Sequence, residues 1–308
     1  MKWGEYAYFR GEIVPLAEAR VPITTHALNY GTGCFEGIRG YWNPGHQRLY
    51  VVKLREHYER MVASCRILRM DPGLDAEEMA ELTVALLKRN AMTCDVYIRP
   101  LVFKASEALK LTLSGLEDEF AIFCAGLGDY LDTSRGLKVM VSSWTRLPDT
   151  AIPPRAKVTG SYINACLASD GAQQLGFDEA IMLTEDGKVS EAASANLFMV
   201  RHGKLITSPV TDGILEGITR GAIIELATTV LGIQVEERRI DRTELYVADE
   251  IFLCGTGVQV AAVTSVDGRP VGDGKIGTLT RRLQQLYFAA VRGEDERFRH
   301  WLTAVSYS

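Results

Sequence analysis

Residues 156–165 read AKVTGSYINA, a stretch in which one lysine stands among small and apolar residues just after Pro153 and Pro154. The residues that follow, SYINACLASDGAQQLG, predict a helix that ends at Gly176. A single lysine is ordinarily a solvated surface residue. Here it precedes a helix N-terminus, where a cation opposes the helix macrodipole, so a purely structural role is disfavoured. Lys157 is therefore a candidate nucleophile of the kind that forms Schiff bases.

The composition and net charge of the chain argue against several classes of protein. The chain has 308 residues, 47% hydrophobic and 24% charged, which is typical of a globular protein with a sizeable core. A net charge of −5 without runs of like charge argues against binding to nucleic acid or to an anionic membrane. Six scattered cysteines without a CxxC pair indicate a reducing compartment, and five scattered histidines show no metal-ligand spacing. With an N-terminus too polar for a signal peptide, we expect a cytoplasmic protein.

Strand and helix signals alternate along the chain and predict a mixed α/β fold. The polar, turn-rich stretch GDYLDTSRG marks a boundary, which gives a small α/β domain over 1–127, an interdomain loop over 128–136 and a large domain over 137–308. The expected elements include a hairpin around Gly11, one strand at CFEGIRGYW, helices over about 54–68 and 75–90, two strands within residues 178–200, and a last helix over about 277–291.

Two glycine-led turns are candidate anion sites. In EGITRGAII, residues 216–224, Gly217 precedes a helix whose first turn holds Thr219, so free N–H groups and a hydroxyl lie together. In CGTGV, residues 254–258, a second hydroxyl follows a strand at a sharp turn. An ordinary capped helix and an ordinary turn are the alternatives, and neither motif is specific by itself.

Three further polar residues stand out in apolar strands. Glu191 lies on a predicted strand with small alanine neighbours, and a buried carboxylate there needs a partner. In VYIRPLVF, Tyr97 and Arg99 are two residues apart and so share one face of a strand. Arg99 carries the one charge in that run, which suits recognition of a carboxylate, although a structural ion pair is an equal alternative.

In this order the segments resemble the branched-chain aminotransferase family, which has the class IV (D-amino-acid aminotransferase-like) fold of pyridoxal-phosphate enzymes. The matching stretches are THALNYGTGCFEGIRGY (25–41), LREHYERM (54–61), VYIRPLVF (96–103), SSWTRLPDTAIPPRAKVTGSYINA (142–165), DEAIMLTEDGKVSEAASANLFMV (178–200), DGILEGITRGAII (212–224), LYVADEIFLCGTGVQVAAV (245–263) and VDGRPVGDGKIG (266–277). They cover nearly the whole chain, and together they are far more specific than any one of them. The resemblance implies a two-domain α/β enzyme with the cofactor lysine in the large domain.

The resemblance also implies roles for individual residues. Lys157 would be the catalytic residue and would hold pyridoxal 5'-phosphate as a Schiff base, with Glu191 at the pyridine nitrogen and Tyr162 at the phenolic oxygen. The implied cofactor-binding residues are Arg55, Tyr162, Glu191, Leu215, Gly217, Ile218, Thr219 and Thr256. The implied substrate-binding residues are Tyr30, Phe35, Gly37, Tyr97, Arg99, Tyr130 and Gly257. Because a residue matching Tyr30 reaches in from a neighbouring subunit, the family implies a homodimer or a larger homo-oligomer. No metal is implied.

The implied reaction is the reversible transfer of an amino group from branched-chain L-amino acids to 2-oxoglutarate by a ping-pong mechanism. The expected partners are small molecules: these amino acids, L-glutamate and 2-oxo acids. Other enzymes of this fold remain alternatives at this stage, namely an (R)-selective amine transaminase, a D-amino-acid aminotransferase and an aminodeoxychorismate lyase. A non-catalytic cofactor-binding protein is disfavoured because both the lysine and its carboxylate partner are present.

Overall fold

The structure is a computed structural model that describes residues 2–128 and 134–307. In chain order its strands are β1 (Lys2–Trp3), β2 (Tyr6–Phe9), β3 (Glu12–Pro15), β4 (Gly33–Phe35), β5 (Ile38–Asn43), β6 (Arg48–Val52), β7 (Val96–Lys104), β8 (Asp118–Gly126), β9 (Leu137–Val141), β10 (Glu179–Leu183), β11 (Val189–Ala192), β12 (Asn196–Arg201), β13 (Lys204–Thr207), β14 (Val235–Glu237), β15 (Glu250–Gly255), β16 (Gln259–Val266), β17 (Arg269–Pro270) and β18 (Leu302–Val305). Its α-helices are α1 (His26–Tyr30), α2 (Leu54–Ile67), α3 (Ala76–Asn90), α4 (Tyr162–Gln174), α5 (Ile218–Thr229) and α6 (Thr278–Val291). The predicted mixed α/β class is confirmed.

Contacts between residues divide the described chain into two units. The first contains residues 2–128, 156–160 and 289–307, and the second contains residues 134–155 and 161–288. This division is not continuous in sequence, unlike the predicted domain limits, because Val158 pairs with Cys34 and β18 pairs with β6. The predicted limits of 1–127 and 137–308 stay a prediction.

The first unit is built on an antiparallel sheet with the strand order β18-β6-β5-β7-β8-β2-β3, to which β1 adds at β8 and β4 at β7. Residues along β7 alternate strictly between buried and half-buried. Val96, Ile98 and Val102 point into a core that they share with apolar residues of α2 and α3. Tyr97 and Arg99 therefore lie on the opposite face of the strand, as the period of two requires.

Helix α3 begins where its sequence predicts. Asp75 accepts hydrogen bonds from the backbone N–H groups of Glu77 and Glu78, and the Glu78 side chain accepts one from the N–H of Asp75. This reciprocal capping box satisfies donors that a helix N-terminus otherwise leaves unpaired. Two acidic residues in the first turn and two basic ones in the last also complement the helix dipole.

The second unit is built on a mixed sheet with the order β11-β10-β9-β16-β15-β12-β13-β14, and β17 pairs with β16. Strand β9 is parallel to both of its neighbours, β10 and β16, whereas β15 is antiparallel to both of its neighbours, β12 and β16. Nearly every residue of β12 and β15 is buried, because this part of the sheet has apolar side chains on both faces. Helix α4 lies against β10 and helix α5 against β15.

Two predicted strands are interrupted in the structure. The stretch CFEGIRGYW forms β4 and β5, separated at Glu36 and Gly37, rather than one strand. Residues 178–200 form three strands rather than two, because the N–H of Ala192 donates to the carbonyl of Ala195 and turns the chain between β11 and β12. In both places the break lies next to a predicted site residue. At the first break the Glu36 side chain pairs with His57 and Arg60 on α2, and at the second a backbone hydrogen bond closes a turn, so contacts outside the strand pattern override strand propensity.

Candidate active site

Lys157 lies in a short extended segment of the first unit. Its carbonyl accepts a hydrogen bond from the N–H of Phe35 (3.1 Å), and its own N–H donates to Oγ of Ser64 (3.2 Å). The Nζ atom of Lys157 lies 5.1 Å from the centroid of the Phe35 ring. The lysine backbone is therefore held between β4 and α2.

The predicted location of Lys157 at a helix N-terminus is wrong. Helix α4 begins at Tyr162, and a 3₁₀ turn over Thr159–Ser161 precedes it, so Lys157 is outside the first helical turn. The helix dipole acts mainly within that turn. What holds the segment instead is a close approach of backbones: Thr159 Oγ1 donates to the carbonyls of Gly31 and Gly33, and a side chain at Gly31 would overlap Gly160.

A buried ion cluster lies next to this segment. Glu36 is fully buried, and its carboxylate accepts hydrogen bonds from Nε and Nη2 of Arg60 and from Nδ1 of His57, each at 2.7 Å. Burial alone would raise the pKa of Glu36, but the charge of Arg60 and the hydrogen bond from His57 hold it well below its usual value. Ser64, which holds Lys157, lies one helical turn after Arg60 and donates to its carbonyl.

Four predicted substrate residues of the first unit lie close together. Arg99 donates from Nη2 to the hydroxyl of Tyr97 (3.0 Å), and its guanidinium carbon lies 4.3 Å from the centroid of the Phe35 ring. A Cβ atom at Gly37 would overlap the Tyr97 hydroxyl, so only glycine fits there. Arg99 Nε is buried and has no hydrogen-bond partner among residues 2–128 and 134–307. Because Phe35 also contacts Lys157, the structure brings these four residues and the lysine together.

The remaining predictions in and near the first unit have different outcomes. The Arg55 side chain is 70% exposed and pairs with Glu59 on the same helix (3.1 Å), so its role at the phosphate stays a prediction. Tyr30 ends α1 with its ring 4.6 Å from that of His26 and is 38% exposed. Tyr130 lies outside the described residues.

In the second unit, Glu191 is held by three groups. The residue is 5% exposed, and its Oε1 atom lies 2.7 Å from Nη2 of Arg146. The Asn196 side chain donates to Oε2 (2.8 Å), and the Leu215 N–H lies 3.2 Å from Oε1 and 3.3 Å from Oε2. The carboxylate on β11 is thus fixed in one orientation, as a buried charge must be if it is to be stable.

The start of α5 adjoins this carboxylate. Gly217 is the N-cap residue without a side-chain cap, and Ile218 and Thr219 form the first turn with free backbone donors, Thr219 being buried. Leu215, just before the turn, donates to Glu191 and accepts from Asn196. The structure therefore brings Glu191, Leu215 and the predicted anion-binding turn together within the second unit.

The other predictions in the second unit lie on different elements. Tyr162 is the first residue of α4 and packs, half-buried, against a cluster of alanines. Thr256 and Gly257 form the turn between β15 and β16, where a Cβ atom at Gly257 would meet no other atom within 4 Å.

Sequence reasoning missed the residues that orient the predicted ones. Arg146 and Asn196 hold Glu191, and Glu36, His57 and Arg60 form the buried cluster near Lys157. The signal available was weak: His57 and Arg60 lie among other charged residues, Arg146 lies in a polar stretch, and the sequence around Glu36 and Asn196 indicates no partner for either. Only the fold shows that their partners lie far away in sequence.

Other kinds of site find no support in the described chain. Among residues 2–128 and 134–307 no group of three His, Cys, Asp or Glu side chains is placed to hold a metal ion. No helix in the same ranges is long and apolar enough to cross a membrane.

Comparison with known families identifies the fold. The family profile of amino-transferase class IV matches residues 33–266. The chain belongs to the class IV aminotransferases. Like the rest of that family, it is a pyridoxal-phosphate-dependent transferase, and the predicted class IV fold is confirmed.

Three relatives of this aminotransferase are named as branched-chain aminotransferases. It is 45% identical to the probable branched-chain-amino-acid aminotransferase of Aquifex aeolicus (strain VF5), over 98% of this chain and 97% of that protein. The branched-chain aminotransferase from Thermoproteus uzoniensis, crystallised with norvaline, is 39% identical with a TM-score of 0.94, over 98% of this chain and 99% of the other. The branched-chain amino acid aminotransferase from Thermobaculum terrenum, crystallised in its PLP form (the holo form), is 38% identical with a TM-score of 0.95, over 99% of this chain and 100% of the other. The family resemblance seen in the sequence is confirmed.

The residues of this aminotransferase fit pyridoxal phosphate. Lys157 supplies an amine for the aldehyde, and Glu191 supplies a buried carboxylate suited to a protonated pyridine nitrogen. At Gly217 a Cβ atom would overlap Asn196, so only glycine fits at the N-cap of α5, and the first turn of this helix has backbone N–H groups suited to a phosphate. Lysine, carboxylate and glycine-led helix start are the three kinds of group that this cofactor needs.

Proposed function

We propose that this aminotransferase moves the amino group of L-leucine, L-isoleucine or L-valine reversibly to 2-oxoglutarate, with pyridoxal phosphate bound at Lys157. The observation that carries the proposal is the group around that lysine: the Phe35 ring, the Tyr97 hydroxyl and the Arg99 guanidinium. An apolar ring suits a branched aliphatic side chain, whereas the guanidinium suits the second carboxylate of glutamate and 2-oxoglutarate. The names of its relatives favour this function over the amine, D-amino-acid and lyase alternatives.

The residues divide the chemical work. Bound pyridoxal phosphate supplies an aldehyde for the substrate amine and a ring that accepts electrons from the Cα–H bond. With the cofactor bound, the Lys157 amine would take the proton from the substrate Cα as general base and would give it, as general acid, to the C4′ carbon of the cofactor. Glu191, fixed by Arg146 and Asn196, keeps a proton on the ring nitrogen and so favours electron withdrawal. Tyr162 donates to the phenolic oxygen, and Leu215 packs on the ring.

We assign phosphate binding to the start of α5, at Gly217, Ile218 and Thr219, and to the hydroxyl of Thr256. On α2 we assign the phosphate contact to Arg55, because its guanidinium is exposed and pairs with Glu59 only in a solvent ion pair, so that it is accessible to an anion. The Nε and Nη2 atoms of Arg60, in contrast, both donate to the buried carboxylate of Glu36. Gly257, in the turn after β15, leaves room for the α-carboxylate, and Tyr130 completes the substrate site.

A homodimer or larger homo-oligomer is part of the proposal. Tyr30 is exposed, and so are the apolar side chains of Val21, Ile23, Leu28, Leu109 and Leu111. The two segments that carry these residues are joined, since His26 donates its N–H to the carbonyl of Ser106. An apolar surface of this kind favours burial against a protein partner. We also propose a cytoplasmic location, because the chain is acidic and its six cysteines are free.

Separate half-reactions test this function directly. Mixing the holoenzyme with L-leucine and no acceptor should yield one 4-methyl-2-oxopentanoate per subunit and abolish the visible absorption of the aldehyde cofactor. Adding 2-oxoglutarate should restore the absorption and release L-glutamate. D-alanine and (R)-1-phenylethylamine serve as controls. Faster conversion by either of them, or release of pyruvate from aminodeoxychorismate without an acceptor, would contradict the proposal.

A further inference from the structure

Asn196, the first residue of β12, connects several parts of the site in the second unit. The residue is 5% exposed, and its side-chain amide uses both donors: one N–H goes to Oε2 of Glu191 (2.8 Å) and the other to the carbonyl of Leu215 (3.0 Å). A primary amide has two such donors, so both are satisfied. One planar group therefore links β11 to the segment that leads into α5.

The oxygen atom of the same amide explains why residue 217 is a glycine. Gly217 has an ordinary negative φ of −68°, which any residue adopts, so its backbone conformation does not require glycine. The available space requires glycine instead, because a Cβ atom at this position would overlap Oδ1 of Asn196. The donors of Asn196 thus fix Glu191 and Leu215, while its oxygen sets how closely the α5 turn approaches β12.

The contacts of Glu191 show what Asn196 adds. Arg146 contacts Oε1, and the Leu215 N–H reaches both oxygens at 3.2–3.3 Å, whereas Asn196 donates to Oε2 at 2.8 Å. Without that amide, the strong charge of Arg146 would draw the carboxylate to one side. Because outer partners of this kind orient functional carboxylates and histidines, their loss changes function as well as stability.

We propose that Asn196 is a positioning residue that sets the distance and orientation of the Glu191 carboxylate relative to the α5 N-terminal turn. The inference rests on the proposed function, in which these two groups act on the ring nitrogen and the phosphate of one cofactor. Because Asn196 is 5% exposed and uses both amide donors within the protein, it acts through Glu191 and Leu215. By fixing the distance between the Glu191 carboxylate and the α5 turn, it allows both groups to contact one cofactor molecule.

Three variants test the proposal in the holoenzyme. Asn196→Ala removes both donors and should weaken cofactor binding about ten- to hundredfold. Asn196→Asp keeps the shape but places a carboxylate against Glu191 and the Leu215 carbonyl, so it should bind the cofactor more weakly than Asn196→Ala. The double variant Asn196→Asp/Glu191→Gln reverses amide and carboxylate, restores a donor between the two side chains, and should bind the cofactor more tightly than Asn196→Asp alone.

Thr207→Val is the matched control. Thr207 is equally buried and donates one hydrogen bond to the carbonyl of Leu197 (2.7 Å), but it contacts no predicted site residue. It should lower the thermal midpoint without changing the cofactor dissociation constant or the pH titration of the cofactor's visible band. Asn196→Ala and Asn196→Asp should shift that titration and lower kcat for L-leucine more than they raise its KM.

The outcomes separate this inference from the proposed function. The wild type's half-reactions test the function and do not depend on Asn196. If Asn196→Asp binds the cofactor as tightly as the wild type, or if Asn196→Ala resembles Thr207→Val in both the dissociation constant and the titration, Asn196 has only a structural role. A double variant no better than Asn196→Asp would likewise overturn the direct contact with Glu191.

Discussion

Arg99 projects from the half-buried face of β7, between the hydroxyl of Tyr97 and the ring of Phe35. A transaminase that works by a ping-pong cycle binds an apolar amino acid and a dicarboxylate in turn in one pocket. The guanidinium has one hydrogen bond to Tyr97, and its buried Nε is without a partner in the described chain, so it has donors to offer a second carboxylate. This geometry assigns Arg99 to one of the two substrates.

The Arg99→Ala variant should therefore separate the half-reactions. A charge-assisted hydrogen bond contributes roughly 1.5–3 kcal/mol, so kcat/KM for 2-oxoglutarate should fall about tenfold to several hundredfold. The half-reaction with L-leucine should change much less, because its side chain loses no polar contact. Stopped-flow absorbance measures both. Arg99→Lys, which keeps the charge but not the planar fork, should be intermediate.

Equal losses for leucine and 2-oxoglutarate would contradict this assignment. They would mean that Arg99 supports the structure through Tyr97 and Phe35, or that it binds the α-carboxylate that both substrates share.

Helix α2 shows how one element presents two arginines in different environments. Arg55 and Arg60 are five positions apart, roughly 140° around the helix, so they cannot share a face. Arg60 faces the fully buried Glu36, whereas Arg55 pairs with Glu59 in solvent, where an ion pair contributes about 0–1 kcal/mol. The helix face thus separates a residue of the buried cluster from a surface residue.

This difference predicts opposite effects of substitution. Arg55→Ala should weaken the binding of pyridoxal phosphate by about tenfold, because a charge-assisted contact to the phosphate is lost. Arg60→Lys keeps a positive charge beside Glu36 but removes the fork that donates to it, so it should lower stability and leave the cofactor dissociation constant nearly unchanged. Equilibrium dialysis measures both, and pyridoxal, which has no phosphate, is the control ligand.

With pyridoxal the effect of Arg55→Ala should disappear. Normal binding in Arg55→Ala, together with weakened binding in Arg60→Lys, would contradict the assignment of the phosphate to Arg55.

A structural feature can be predicted from the sequence when neighbouring residues cause it. Helix α3 was predicted with its Asp75 cap, because capping and hydrophobic spacing are properties of neighbouring residues. Strand β18 was not predicted, because it exists only by pairing with β6, about 250 residues away. Among site residues, Lys157 and Glu191 were recognisable as lone polar groups. Asn196 and Glu36 were not, since their importance lies in contacts that only the fold creates.

At the scale of the whole molecule, chain order and spatial grouping differ around the lysine. Residues 156–160 belong by contact to the first unit, although the segments on both sides of them belong to the second. Lys157 is held there by Phe35 and Ser64, whereas Glu191 is held in the second unit by Arg146 and Asn196. Each group is therefore held by residues of its own unit.

The central claim is that Lys157 carries the cofactor, and reduction of the holoenzyme with sodium borohydride tests it most directly. Reduction makes the bond between lysine and cofactor permanent, and peptide mapping then locates it. The Lys157→Ala variant and Lys104, a buried lysine whose ammonium is paired with Asp118 at 2.9 Å, are the controls. We predict a single adduct on the peptide that contains AKVTGSYINA and none in Lys157→Ala. An adduct on Lys104 or any other lysine in the wild type would contradict the account.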